Sequence, residues 1–125
     1  VYILDDRDTM IRKFKRAVTD SGSEVRFAED KPGVGNLMTI YSCFTGKSMA
    51  EIEREFAGVG YGEFKLAVGE VTADALEPVQ RRYAELLSDK AGLEAQMKKG
   101  AEEAAWYARR TLSKVKKKLG FVQLH

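Results

Sequence analysis

A stretch of 28 residues, Gly62 to Asp89 (GEFKLAVGEVTADALEPVQRRYAELLSD), reads as one uninterrupted helix and sets the terms for the rest of the chain. At about 100° per residue, Phe64, Val68, Val71, Ala75, Val79, Tyr83 and Leu86 fall on one side, with Glu70, Asp74, Glu77, Arg81 and Glu85 opposite. That is the pattern of a helix that buries one stripe and wets the other. At roughly 1.5 Å per residue it is about 40 Å long, more than a domain of this size needs across its core. Other helices are therefore expected to pack along it. Pro78 removes one backbone donor and crowds the carbonyl four residues back, which predicts a bend near Asp74.

The chain has 125 residues, 44% of them hydrophobic and 32% charged, the profile of one globular domain with a self-sufficient core. No apolar run approaches the length of a membrane span. A single cysteine, Cys43, excludes an internal disulfide, and with no charged-then-apolar leader this favours a reducing cytosol. The first residue is Val1, and Val1, Ile3 and Leu4 run straight into an acidic turn, so the chain is expected to be a piece of something longer. Charge is divided unevenly. From Lys98 to His125 eight Lys and Arg stand against Glu102 and Glu103, a net +6, whereas the preceding 97 residues hold 13 basic and 17 acidic groups, a net −4. Such asymmetry points to a polyanion as partner of the basic end.

Taken in order, Asp8 is a candidate N-cap for a first helix through Thr19, with Ile11, Phe14 and Val18 on one face. Arg12, Lys13, Lys15 and Arg16 lie toward its C-terminus, where the helix dipole favours cations. Glu24 to Ala28 is a possible short extended piece before the Lys31-Pro32-Gly33 turn. Asn36 to Thr45 reads as a second helix with Leu37, Ile40, Tyr41 and Phe44 on a common face and Gly46 as its stop. Ser48 and Glu51 form a capping box for a short helix to Phe56. After the long helix, Ser88 or Asp89 caps a short segment with Leu93 and Met97, closed by Gly100. A last helix then runs from Ala101 to Leu119, its inner face (Ala101, Ala104, Ala105, Ala108, Leu112, Val115, Leu119) narrow and alanine-rich enough to approach the long helix closely. Gly120 and Phe121 complete it as a left-handed cap. The expected fold is all-α, a bundle of five or six helices around one long helix.

Catalysis has little to stand on. The only histidine, His125, is at the chain end, where no acid–base pair is expected to be held. Cys43 lies between Tyr41 and Phe44 in a helix, and a small buried thiol is the expected reading. No clustered His, Cys or carboxylates suggest a metal site. Gly33-x-Gly35 and the Gly58 to Gly62 run resemble phosphate-cradling loops, but no strand precedes either, so turn and cap glycines are expected.

The outer face of the last helix is more informative. Trp106, Arg110, Ser113 and Lys117 recur at i, i+4, i+7 and i+11, with Lys99 two turns before and Lys114 beside them. An exposed aromatic among cations stacks on an unpaired base while the charges take the phosphates. The alternative is a solvated basic face with Trp106 folded onto a neighbouring helix or a subunit contact. Arg82, placed near Phe64, Val71 and Ala75 on the apolar side of the long helix, is expected to need a carboxylate or carbonyl partner.

The stretches IRKFKRAVTDSG (11–22), KPGVGNLMTIYSCFTGKS (31–48), AEIEREFAGVGYGEFKLAVGEV (50–71), PVQRRYAELL (78–87) and GAEEAAWYARRTLSKVKKKLGFV (100–122) resemble the C-terminal part of bacterial-type tryptophanyl-tRNA synthetases. The resemblance runs in order across essentially the whole chain. It implies a helical domain following a catalytic Rossmann domain, with residues 1–35 as linker and first helix, binding the anticodon region of tRNA(Trp). It also implies a cytoplasmic, homodimeric parent that uses ATP and magnesium to make tryptophanyl-adenylate and then charges the tRNA. The family's HIGH and KMSKS signatures are missing here, and by the family's layout the second falls just upstream of Val1. This chain alone is then expected to catalyse neither step, with the segment Asp20 to Gly35 as part of a domain hinge. Trp106 departs from the family pattern, so its role rests on spacing.

Two function classes follow. One is an RNA-binding appendage with Lys99, Trp106, Arg110, Ser113, Lys114 and Lys117 as candidate contacts. The other is a structural or subunit-contact helical module without RNA binding of its own.

Overall fold

In the computed structural model, which describes residues 1–121, the first helix begins one turn after the chain start. Its cap is Asp6, whose carboxylate accepts from the Thr9 N–H at 2.9 Å. Asp8, the expected cap, instead sits in the first turn. The helix, α1, covers Arg7–Lys15 and stops four residues short of Thr19, leaving Val18 89% exposed. Its buried pair is Met10 and Phe14, spaced i, i+4 so that both reach one neighbour. Four further helices follow: α2 (Pro32–Thr45), α3 (Met49–Glu55), α4 (Tyr61–Ser88) and α5 (Lys90–Lys118). No strand forms among the described residues; the segment expected to be extended, Glu24 to Ala28, lies in irregular backbone with Val25 buried. The all-α expectation holds.

α2 starts at Pro32 rather than Asn36, because proline's fixed φ and missing N–H suit the first helical position. It ends where expected: Gly46 takes φ 73° and donates to the Ser42 carbonyl at 2.8 Å, a left-handed conformation that a side chain resists. The capping box at Ser48 is present in both directions. Cys43, expected to be buried, is exposed, and Phe44 is 43% exposed. The buried face of α2 is made by Val34, Leu37, Met38 and Tyr41, one position round from the face read off the sequence.

The chain forms two units, Val1–Arg82 and Tyr83–His125, and α4 runs from one into the other. In the first, Phe64 and Val68 of α4 are fully buried, and Phe56 and Tyr41 meet Phe64 with ring centroids 4.9 and 6.4 Å apart. Aromatic pairs at such separations add attraction beyond the area they bury. Beyond Val68 the covered face of α4 shifts to Gly69, Thr72 and Ala73, where α1 lies against it. Ala75, Val79, Tyr83 and Leu86 are exposed, so the apolar stripe is not covered over its whole length as expected. Arg82, placed on the apolar side by the wheel, is likewise exposed. The helix continues through Pro78. The chain start is tied to α4 by Arg7 on Asp74 and by Gln80, whose side-chain amide donates to the carbonyls of Ile3 and Asp5 at 2.7 and 2.8 Å.

In the second unit, α5 overturns one expected boundary. Gly100 does not close a helix; α5 passes through it for 29 residues. One glycine costs only about 1 kcal/mol in a helix interior, and the flanking Ala, Gln, Met, Lys and Glu are all strong helix formers. The end is as expected: Gly120 at φ 74°, with Phe121 N–H on the Lys116 carbonyl and Gly120 N–H on the Lys117 carbonyl, the two-bond glycine cap. No residue of α5 is buried, so the alanine-rich face is not the tightly covered seam anticipated for it.

Candidate nucleic-acid interface

α5 is launched by Asp89, whose carboxylate accepts from the Gly92 N–H at 2.9 Å, and its composition carries it without a break to the Lys116-Lys117-Lys118 run. Lys99, Trp106, Arg110, Ser113, Lys114 and Lys117 all lie on this helix and all are exposed. They form a line rather than a cluster, spanning roughly 27 Å from Lys99 to Lys117 at 1.5 Å per residue. Trp106 and Arg110 meet: the guanidinium carbon stands 5.3 Å from the indole centroid, within cation–π range. Trp106 is 54% exposed, which leaves ring surface open to a ligand.

Three neighbours were not picked out from the sequence. The Tyr107 ring meets the indole at 4.9 Å and 86°, an edge-to-face pair. Glu102 and Arg109, with Ala105, Trp106 and Arg110, line a pocket of about 380 Å³. Glu102 and Arg109 sit one turn before and after Trp106, so the i, i+3, i+4 rule that linked Trp106 to Arg110 would also have found them. Among the described residues no ion pair neutralises Arg109, Arg110, Lys114 or Lys117. The line therefore presents positive charge to solvent, the kind of charge that phosphate binding requires.

The perturbed titratable groups lie elsewhere and serve the fold. Lys31, only 8% exposed, donates to the Tyr61 hydroxyl at 2.8 Å and to Asp20 at 3.2 Å, and Tyr61 donates to Asp20 at 2.9 Å. The Tyr61 hydroxyl and the Asp20 carboxylate outweigh burial and hold the Lys31 ammonium above its ordinary value. Tyr41 is pushed up by burial and then by Glu55, which also takes Lys47 at 2.7 Å. Gly33 and Gly35, expected as turn glycines, lie in the first turn of α2 instead, whereas Gly58 is the turn glycine expected. A β-carbon on Gly33 would stand 2.5 Å from the Val18 carbonyl oxygen, and Gly58 takes φ 75°. Among the described residues no group of three or more His, Cys, Asp or Glu could hold a metal ion, and no helix is long and apolar enough to cross a membrane. His125 lies outside the described residues.

No family model matches the chain. Individual relatives do. A tryptophan–tRNA ligase of Clostridium acetobutylicum is 44% identical over 122 residues, 98% of this chain and 36% of the relative. That of Caldanaerobacter subterraneus subsp. tengcongensis is 46% identical over 123 residues, 98% of this chain and 37% of the relative. The chain is similar along its length to the C-terminal part of tryptophan–tRNA ligases. The crystal structure of a tryptophanyl-tRNA synthetase from Mycoplasma pneumoniae superposes with a TM-score of 0.76 at 25% identity, covering 98% of this chain and 38% of that one. The chain thus spans little more than a third of the length of the tryptophan–tRNA ligases it matches. The superposition shows a shared helical fold, in which the exposed basic helix of this chain is α5.

Proposed function

We propose that the chain is the C-terminal, tRNA(Trp)-binding part of a tryptophan–tRNA ligase and that it engages the anticodon region through the outer face of α5. The observation that carries this reading is the exposed Trp106 beneath Arg110, on a helix whose Arg109, Lys114 and Lys117 have no ion-pair partner among the described residues, in a chain 44% identical to such ligases. Catalysis belongs to residues outside the chain. A preceding Rossmann domain, in a homodimeric cytoplasmic parent, would bind ATP and magnesium, form tryptophanyl-adenylate and charge the tRNA. No step of that chemistry is assigned to the residues of this chain.

The test is binding of the 125-residue chain to tRNA(Trp) and to an unrelated tRNA over a range of salt. Neutralising phosphates releases counterions, so log affinity should fall linearly with log salt, and Arg110→Ala and Lys117→Ala should each lower the slope by roughly one. Equal affinity for both tRNAs at near-physiological salt, with slopes unmoved by either variant, would favour a structural module whose surfaces serve subunit contacts.

A further inference from the structure

The pocket beside Trp106 contains a group that a purely phosphate-binding face has no use for. Glu102 lines it together with Arg109 and Arg110, and among the described residues no ion pair neutralises its carboxylate. A bare carboxylate on this surface repels a phosphate backbone, so for RNA binding in general it is a cost. It becomes useful if the ligand also presents a hydrogen-bond donor. Resting on the RNA-binding reading above, we infer that Glu102 is a base-discriminating residue. An unpaired nucleobase enters the pocket, stacks on Trp106 and donates its amino group to the Glu102 carboxylate, while Arg109 takes the adjoining phosphate.

Size, charge and chemistry agree. At about 380 Å³ the pocket is at the small end of small-molecule sites, suited to one base. An exposed indole stacks on any base, so Trp106 contributes affinity without choice. Choice needs a polar group aimed at a base edge, and a carboxylate accepts only from donors. Adenine, cytosine and guanine each carry an exocyclic amino group. The pairing edge of uracil sets a carbonyl oxygen on either side of its one N–H, so a carboxylate brought up to it meets two acceptors. The site is therefore a filter that admits amino-bearing bases and rejects uracil.

The chain contains one tryptophan, so its fluorescence reports this pocket alone. Short single strands of cytidine and of adenosine should quench Trp106 and bind about tenfold more tightly than a uridine strand of equal length, the worth of one hydrogen bond to a charged acceptor. Glu102→Ala should erase that preference, and should tighten the uridine strand because a repelling charge is gone. Glu103→Ala removes the same charge from a neighbour that does not line the pocket and should keep the preference. A preference that survives Glu102→Ala, or one lost equally in Glu103→Ala, overturns the assignment. If no strand quenches Trp106 while the chain still binds tRNA(Trp) in a filter assay, the pocket is not a base site and the RNA-binding reading stands. If neither tRNA nor strand binds, the RNA-binding reading fails and the base filter fails with it.

Discussion

Gly69 of α4 lies so close to Ile11 of α1 that a β-carbon at position 69 would stand 3.0 Å from the Ile11 Cα, with the Phe14 Cβ 3.5 Å away. The nearest atom belongs to the backbone, so even a β-carbon at 69 needs α1 to give by a few tenths of an ångström, and a branched side chain needs more. Met10 and Phe14, buried on either side of it, would move too. Gly69→Val should therefore destabilise the chain by about 1–3 kcal/mol, the usual range for overpacking, as a lower urea midpoint with the slope unchanged. Equal or greater stability would show that α1 yields freely.

Gly100 is the opposite case. A β-carbon there meets nothing within 4 Å, and α5 already passes through it as helix. Gly100→Ala should raise the stability of α5 by about 1 kcal/mol, since alanine is the better helix former and restricts the unfolded chain. The measurement is thermal unfolding followed by helical circular dichroism; a drop would mean the position needs glycine's freedom.

Acid should loosen the Asp20–Lys31–Tyr61 knot. Burial pushes the Asp20 carboxyl up, but hydrogen bonds from the Gly22 N–H, the Tyr61 hydroxyl and the Lys31 ammonium outweigh it and hold the group below the ordinary carboxylate range. A folded-state value below the unfolded one, near 3.9, contributes stability that is complete above the unfolded value and is lost as pH falls from there through the lower folded value. The urea midpoint should drop below about pH 4, and Tyr61→Phe, which removes one donor, should make that drop shallower while lowering the midpoint at neutral pH. An unchanged acid profile in Tyr61→Phe would exclude the knot from the account.

Cys43 is exposed on α2. The folded chain should react with a water-soluble maleimide to one label per chain without denaturant, to the extent reached in urea. Protection that disappears only on unfolding would return the thiol to the core.

Helix type, most caps and the basic end were legible because they are local. The Ser48–Glu51 box, the Gly46 and Gly120 stops and the spacing of Trp106 and Arg110 depend on residues within a turn of one another, and each is found where the sequence implies. Errors arose where a local signal competed with another. Asp6 and Asp8 can both cap, and the one whose oxygen reaches the Thr9 N–H does so. Gly100 looked like a terminator because glycine is one when a left-handed residue is needed; surrounded by helix formers, it stays helical. Glu102 is a turn-spaced neighbour of Trp106 on the N-terminal side as Arg110 is on the C-terminal side, but a pattern of cations alone does not pick out a carboxylate.

By itself, the order of residues settles that the chain is helical, most of the caps and where positive charge accumulates, since the first two follow from the 3.6-residue period and short-range hydrogen bonds and the third from composition. It does not say which apolar side finds a partner. Phe64 and Val68 are buried while Val79 and Tyr83, on the same stripe, are exposed, and Cys43 faces solvent beside a helix face that is covered. Burial is a property of two surfaces brought together from distant parts of the chain, as Gly69 and Ile11 are, and periodicity within one helix carries no record of the other.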